Sequence, residues 1–114
     1  MAKLPSKPEH FAIFDEDLDD RWADYFKESS TLAVDTEAMG LIHGRDRLCL
    51  VQISNDSDYV ACIRIRLNQK SAPRLKALME DPKITKVFHF ARFDVAALAS
   101  GLNIQVCSIF CTKI

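Results

Sequence analysis

The chain lacks the segments that mark exported and membrane-spanning proteins. Residues 1–7 hold no apolar signal-peptide core, and no stretch approaches the ~18 apolar residues that a membrane span needs. There is no internal repeat and no low-complexity segment. The composition, 114 residues with 48% hydrophobic and 27% charged, is typical of one small globular domain. We therefore expect a cytoplasmic protein with no membrane partner.

Cysteine patterns typical of metal binding or disulfide frameworks are also absent. The four cysteines, Cys49, Cys62, Cys107 and Cys111, lie in apolar runs without a C-x-x-C pair. This spacing argues against a zinc site and predicts reduced, buried thiols.

The chain has little net charge, with 15 Lys and Arg against 16 Asp and Glu, so it has no overall basic field that would attract nucleic acid. Residues 1–30 hold eight acidic and four basic residues, whereas the remainder holds eleven basic and eight acidic residues. A polyanion site on the basic part fits this distribution. A solvated helix face explains the acidic part equally well.

Residues 1–30 are predicted to form an N-terminal arm, a short strand and a helix. The apolar run at 11–14 favours an edge strand. Apolar residues then recur at three- and four-residue steps from Leu18, which predicts a helix from Asp17 with Asp15 or Asp17 as its cap.

Residues 31–114 alternate between strand and helix patterns. Strands are predicted at 32–37, 48–54, 59–65, 86–90 and 104–110, and helices at 71–80 and 92–100. Ser71 is the predicted cap of the first of these helices, and Gly101 closes the second. The order predicts an α/β fold: a mixed β-sheet, with an antiparallel meander plus parallel strands, flanked by helices.

Asp35 and Glu37 stand two residues apart at the end of a predicted strand. A period of two sends both carboxylates to one face of the sheet, where they repel each other and lose solvation. A divalent cation would offset that cost, because magnesium prefers carboxylate oxygens. A polar strand end that faces water is the alternative interpretation.

Asp94 is the one acid in a segment that is otherwise nearly all apolar, at the first turn of a predicted helix. It can be an ordinary helix-start acid that the helix dipole favours. The strand before it is expected to lie beside the Asp35 strand, which would bring Asp94 to the same site as Asp35 and Glu37.

Two segments resemble a known family. LAVDTEAMGL with RLCLVQIS resembles the first motif of the DEDD superfamily of 3′–5′ exonucleases, and KVFHFARFDVAAL resembles the second. GRDRLCLVQIS, QKSAP and the final FCTKI are similar to the compact ribonuclease D-like enzymes of the bacterial nano-RNase C type. The combination of D-x-E with H-x-x-x-x-D is far more specific than either half alone. Residues 31–114 thus resemble the N-terminal part of a 3′–5′ exonuclease domain.

The resemblance implies a ribonuclease H-like fold, two Mg²⁺ or Mn²⁺ ions, and 3′–5′ release of nucleoside monophosphates from RNA ends or short oligoribonucleotides. Asp35, Glu37 and Asp94 match three of the family's four metal-binding catalytic carboxylates. The fourth belongs to a third motif that, in the family, follows well after the position of Ile114. We therefore expect a C-terminally truncated domain with impaired activity and an exposed apolar surface where further helices would pack.

The resemblance also implies substrate contacts at Gly40, Leu41, His89 and Arg92. Gly40 and Leu41 match a turn where backbone and an apolar wedge meet the terminal bases; a simple turn with a core leucine is the alternative. His89 would contact a sugar or phosphate, or else be a hydrogen-bonded core residue. Arg92 would hold a phosphate, or else neutralise Asp94.

Four further bases, Arg45, Arg47, Lys70 and Lys113, are candidates for a phosphate-binding rim, although single exposed bases usually serve solubility. Besides an exonuclease, two other functions stay open. One is a catalytically inactive module that binds RNA ends, and the other is an oligomerisation domain, since the resembled family forms ring-like assemblies. A homo-oligomer is thus one candidate partner that the resemblance implies.

Overall fold

The alternating apolar patterns become six strands and three helices in residues 10–40 and 45–113, the part of the chain that the computed structural model describes. The strands are β1 (Phe11–Asp15), β2 (Thr31–Ala38), β3 (Leu48–Ser54), β4 (Val60–Arg64), β5 (Thr85–Phe88) and β6 (Ile109–Cys111). The helices are α1 (Asp20–Lys27), α2 (Pro73–Met79) and α3 (Ala91–Leu102). None of these helices is long and apolar enough to cross a membrane.

All six strands form one mixed sheet in the order β1-β4-β3-β2-β5-β6. The predicted meander is confirmed, because β2, β3 and β4 pair antiparallel. The other three pairings, β1 with β4, β2 with β5 and β5 with β6, are parallel. The β2–β5 ladder is short and ends at the pair Ala33–Val87. Beyond that pair, the remaining half of β2 has β3 on one side and no strand among the described residues on the other.

The two faces of the sheet differ in what covers them. One face carries Leu32, Val34, Val51, Ile53, Ile63 and Phe88, which join a core cluster with the buried apolar residues of all three helices. The opposite face, which we call the open face, exposes Phe11, Ile13 and Phe110 to between 54% and 59%. The described helices therefore cover one face rather than both, and the open face exposes these apolar side chains; that further helices would pack there stays a prediction.

The start of α1 differs from the sequence prediction. Neither Asp15 nor Asp17 is its cap; Asp19 is, and its carboxylate accepts a 2.8 Å hydrogen bond from the Trp22 amide. Asp17 instead accepts hydrogen bonds from the Arg74 and Leu75 amides at 2.8 and 3.0 Å. It therefore satisfies two free amides at the start of α2 and ties that helix to the segment before α1.

The residues predicted to cap the start of α2 and to close the end of α3 were wrong. Ser71 does not cap α2; Ala72 occupies the cap position without a side-chain hydrogen bond, because Asp17 supplies the acceptor. Gly101 does not end α3, which runs to Leu102 and closes at Asn103 with a φ of 56°. Asparagine tolerates this left-handed conformation, so glycine is not required there.

The last predicted strand is also shorter than expected. β6 covers 109–111 rather than 104–110. The Ile104 amide bonds to the Leu98 carbonyl and the Cys107 amide to the Met79 carbonyl, so these residues connect helices instead of pairing in the sheet. The cysteines are likewise less buried than predicted: Cys62 is buried, and the other three are half-buried free thiols.

Asp19→Ala should lower the free energy of unfolding by about 1 kcal/mol, because the Trp22 amide loses its acceptor. Urea denaturation provides the measurement. Asp24→Ala removes the same charge from an exposed position within α1 and is the matched control. Equal stability of the two variants would contradict the assignment of Asp19 as the cap.

Candidate active site

The candidate site begins with the alternation of side chains along β2. Asp35 and Glu37 are both exposed on the open face, as the period of two predicts. Thr36 lies between them, points to the core face and is 6% exposed. Asp35 pairs across the sheet with Gln52 and Glu37 with Leu50, so the neighbouring strand holds both carboxylates in register.

Asp94 lies in the first turn of α3 and is 4% exposed. Its carboxylate accepts a short hydrogen bond from the Thr36 hydroxyl, and the Thr36 backbone also hydrogen-bonds to it. Thr36 is three residues beyond Ala33, where the β2–β5 ladder ends. The first turn of α3 thus takes over the edge of β2 that β5 leaves unpaired.

Burial raises the pKa of Asp94 above its ordinary value, because the carboxylate loses solvation. The Thr36 hydroxyl and backbone oppose this by stabilising the charged form. The negative charges of Asp35 and Glu37 raise the pKa further. Asp94 is therefore close enough to Asp35 and Glu37 to feel their negative charges.

The shared metal site itself stays a prediction. Among residues 10–40 and 45–113, no three His, Cys, Asp or Glu side chains are grouped in a way that could hold a metal ion. Asp35 and Glu37 share the open face, whereas Asp94 is held at the β2 edge by Thr36. The structure thus brings the three residues into electrostatic reach without arranging their oxygens as one ligand set.

Gly40 lies where the turn after β2 meets Asp46. A Cβ at Gly40 would meet the Asp46 carboxylate, so any larger residue there would displace that side chain. This contact gives Gly40 a packing role that the sequence did not reveal. Leu41, the predicted apolar wedge, lies outside the described residues.

His89 and Arg92 flank the turn from β5 into α3, and both are exposed. Because His89 is exposed, it is not the core histidine that was the alternative. Its Nδ1 lies 2.9 Å from the Thr112 hydroxyl. Arg92 forms no ion pair with Asp94 and instead lines a cavity of about 380 Å³ with Phe90, Ala91, Cys111 and Lys113.

Sequence reasoning missed two residues that shape this site. Thr36 was detectable as a polar side chain at a core-facing strand position, between two acids. Cys111 accepts a hydrogen bond from the Ala91 amide at 3.2 Å, and this and other backbone hydrogen bonds lower the pKa of its thiol. No local signal in the sequence indicated that contact, because β6 and α3 meet only in the folded chain.

Comparison with known proteins gives the family. A model of the 3′–5′ exonuclease family matches residues 11–114, which include both motifs and all three carboxylates. The chain belongs to this family. Its fold is that of the ribonuclease H-like DEDD exonucleases.

Comparison with individual relatives supports this family assignment. Protein RRP6-like 1 from Arabidopsis thaliana is 34% identical over 115 residues, which cover 98% of this chain and 18% of that protein. NrnC from Brucella melitensis, solved bound to pGG, is 41% identical with a TM-score of 0.83 and covers 90% of this chain and 48% of its own. RNase D from Escherichia coli shares the fold, with a TM-score of 0.67 and 24% identity.

The chain spans about half the length of NrnC and less than a fifth of the RRP6-like protein. The matched half of NrnC therefore corresponds to the sheet and helices described above.

Thr36→Val should destabilise this exonuclease-family chain by about 1–3 kcal/mol, because the buried Asp94 carboxylate loses a hydrogen-bond donor. Thr36→Ser keeps the hydroxyl and should cost less. Thr31→Val changes an exposed threonine of the same strand and is the matched control in urea denaturation. A Thr36→Val variant as stable as Thr31→Val would contradict the importance of this bond.

Stability should depend on pH through Asp94. Its folded-state pKa is raised, so at pH values between the ordinary and the raised pKa the folded chain binds more protons at this carboxyl than the unfolded chain does. The Asp94 contribution to the free energy of unfolding therefore falls as pH rises from the ordinary Asp value through the raised one. We therefore expect the free energy of unfolding of the Asp94→Asn variant, relative to that of the unsubstituted chain, to increase as pH rises across that window. Urea denaturation at a series of pH values measures it, with Asp56→Asn as the control for loss of one charge; a difference that does not grow with pH would contradict it.

Proposed function

We propose that this chain carries the core of a metal-dependent 3′–5′ exoribonuclease that releases nucleoside monophosphates from RNA ends or short oligoribonucleotides. The observation that carries the proposal is the bond between Thr36 and Asp94. It joins the second exonuclease motif to the strand of the first, in a chain whose family is 3′–5′ exonuclease. Asp35, Glu37 and Asp94 are the proposed catalytic residues.

The chemistry of the three carboxylates fits Mg²⁺ or Mn²⁺. All three are hard oxygen donors, and a divalent cation held by them would offset the effect of the Asp35 and Glu37 charges on Asp94. Asp35, Glu37 and Asp94 would hold two such ions, which supply an activated water and stabilise the leaving 3′ oxygen. Brucella melitensis NrnC has been solved with bound Mg²⁺ and has a TM-score of 0.84 to this chain.

We assign the remaining residues of the site to orienting Asp94 and binding the substrate. Thr36 fixes one oxygen of Asp94 and so limits the directions in which that carboxylate can face. We assign His89 and Arg92 to contacts with the substrate sugar and phosphate, because both are exposed beside the first turn of α3. Gly40 and Leu41 are proposed to meet the terminal bases.

RNA is the proposed substrate class because of the relatives. NrnC has been solved bound to pGG, and RNase D is described as an exoribonuclease involved in structured RNA processing. The fourth carboxylate and the group that orients the attacking water are assigned to no described residue. The activity of the whole protein is therefore proposed for a chain that includes the equivalent of the remaining half of NrnC.

A chimera tests the proposal. Residues 11–114 replace the matching half of Brucella melitensis NrnC, and release of nucleotides from a 5′-labelled oligoribonucleotide is followed with Mg²⁺ or with EDTA. We expect Mg²⁺-dependent hydrolysis, and loss of at least ~100-fold for Asp35→Asn or Asp94→Asn, since each change removes charge stabilisation used in the transition state. The 114-residue chain alone should hydrolyse near background.

Asp56→Asn in the same chimera is the matched control, because it removes a carboxylate from an exposed turn. It should keep activity within about threefold of the unsubstituted chimera. Activity of Asp35→Asn or Asp94→Asn in that same range would refute the assignment of these residues. Protection of RNA ends without cleavage by a folded chimera would favour the inactive binding module instead.

A further inference from the structure

A second cavity lies beside the candidate site and is lined mainly by polar and basic side chains. Its volume is about 250 Å³, and its walls come from the start of β3, the segment after β4 and the last turn of α3. Four basic residues line it, Arg45, Arg47, Arg66 and Lys70, against one acid, Asp46. We call this cavity the basic pocket.

Two of these bases build the wall of the pocket. The Arg47 guanidinium donates to the Leu48 and Ile65 carbonyls at 3.3 and 2.8 Å, which links β3 to the end of β4. The Arg45 guanidinium donates two hydrogen bonds to the Asp46 carboxylate, from Nε to Oδ1 at 3.0 Å and from Nη2 to Oδ2 at 2.9 Å. The one acid of the lining is therefore already neutralised, and Arg47 adds a fixed positive charge.

The other two bases are exposed to solvent, where a ligand can reach them. Lys70 is exposed and forms no ion pair among the described residues. Arg66 is 68% exposed and lies 3.5 Å from Glu16, a long contact between two exposed side chains that contributes little. Both residues line the pocket and are exposed.

The segment that carries these two bases is held in shape before any ligand arrives. The Gln69 side-chain amide donates to the Glu16 carbonyl at 2.6 Å and to the Ser71 carbonyl at 2.9 Å. Its oxygen accepts from the Arg66 amide at 2.9 Å. Such preorganisation lowers the entropy cost of binding.

The end of α3 opposes anion binding to some extent, because Ser100 and Gly101 belong to its last turn and a helix carries partial negative charge there. The Asn103 amide covers the Ala99 carbonyl, and the Ile104 amide covers the Leu98 carbonyl. Four full positive charges against one carboxylate outweigh this half charge, so the pocket favours an anion.

The pocket lies at the end of β2 that carries Glu37. Leu48 lines it and pairs with Ala38, the residue after Glu37. The register shift between Glu37 and Ala38 puts Leu48 in the core beside Gly101, whereas Glu37 lies on the open face. A strand whose 3′ end lies at Glu37 would reach the pocket by passing over this end of the sheet.

We infer that the basic pocket binds a backbone phosphate of a single-stranded nucleic acid whose 3′ end lies at the carboxylates of β2. The inference rests on the proposed function for the position of the 3′ end. The phosphate itself is recognised by Arg66 and Lys70, whose donors match its oxygens, above the positive wall formed by Arg47. The pocket thus serves strands longer than the reacting nucleotide.

Binding in EDTA tests this without any need for hydrolysis. The probe is a labelled single-stranded RNA of about eight nucleotides, titrated with the 114-residue chain at several salt concentrations. The Arg66→Ala/Lys70→Ala double variant should bind about tenfold more weakly, with a salt slope smaller by roughly 0.7, because one phosphate contact is lost. Lys27→Ala/Lys83→Ala removes the same charge from exposed positions outside the pocket and should change affinity less than about twofold.

An equal loss of affinity in both double variants would overturn the inference, since net charge would then explain the effect. Competition with inorganic phosphate and adenosine monophosphate separates the two sources of the anion. If either binds as tightly as the RNA, in a manner that Arg66→Ala/Lys70→Ala abolishes, the pocket holds a free phosphate and not a strand. Far-UV circular dichroism and the urea midpoint verify that the variants fold.

The same variants placed in the NrnC chimera distinguish this inference from the proposed function. Hydrolysis that is unaffected by Arg66→Ala/Lys70→Ala on both long and short RNA would overturn the basic pocket and leave the exonuclease in place. Pocket-dependent binding with no Mg²⁺-dependent cleavage would support the pocket and refute the exonuclease.

Discussion

The candidate site depends on the hydrogen bonds between Thr36 and Asp94. β3 accompanies β2 along nearly its whole length, but β5 pairs with it only up to Ala33–Val87. The exposed edge beyond that pair has backbone groups that need partners, because unpaired polar groups away from water are costly. Asp94 supplies an acceptor there. One contact therefore completes the sheet edge, anchors α3 and holds the acid of the second motif beside those of the first.

The turn between β5 and α3 makes that contact geometrically possible. Phe90 occupies the cap position of α3 in the left-handed conformation, with a φ of 63°. A bulky side chain rarely adopts this conformation, which costs about 1 kcal/mol or more. The Ala91 amide that follows is bonded by Cys111 of β6. The hydrogen bond to β6 thus helps to hold Phe90 in this strained conformation. The resulting turn lets α3 start at the edge of β2.

Much of the fold was predictable from local patterns. Strand β3 was predicted with the bounds that the structure has, and the meander followed from the short connections around it. The shared face of Asp35 and Glu37 followed from the period of two, which every strand obeys. Asp94 stood out as the one acid of an apolar segment, and the family resemblance matched it to a catalytic carboxylate, although only the fold could tell that Thr36 is its direct hydrogen-bond partner.

The sequence by itself determined which segments form strands and helices, which acids share a face, and which family the chain resembles, because these depend on residues a few positions apart. The tertiary structure decided the contacts that join distant segments. Asp17 bonds the start of α2 across 57 and 58 residues, which displaced Ser71 from the predicted capping role. Thr36 reaches Asp94 across 58 residues. A polar side chain takes whichever partner the folded chain brings near it, and local spacing carries no information about that partner.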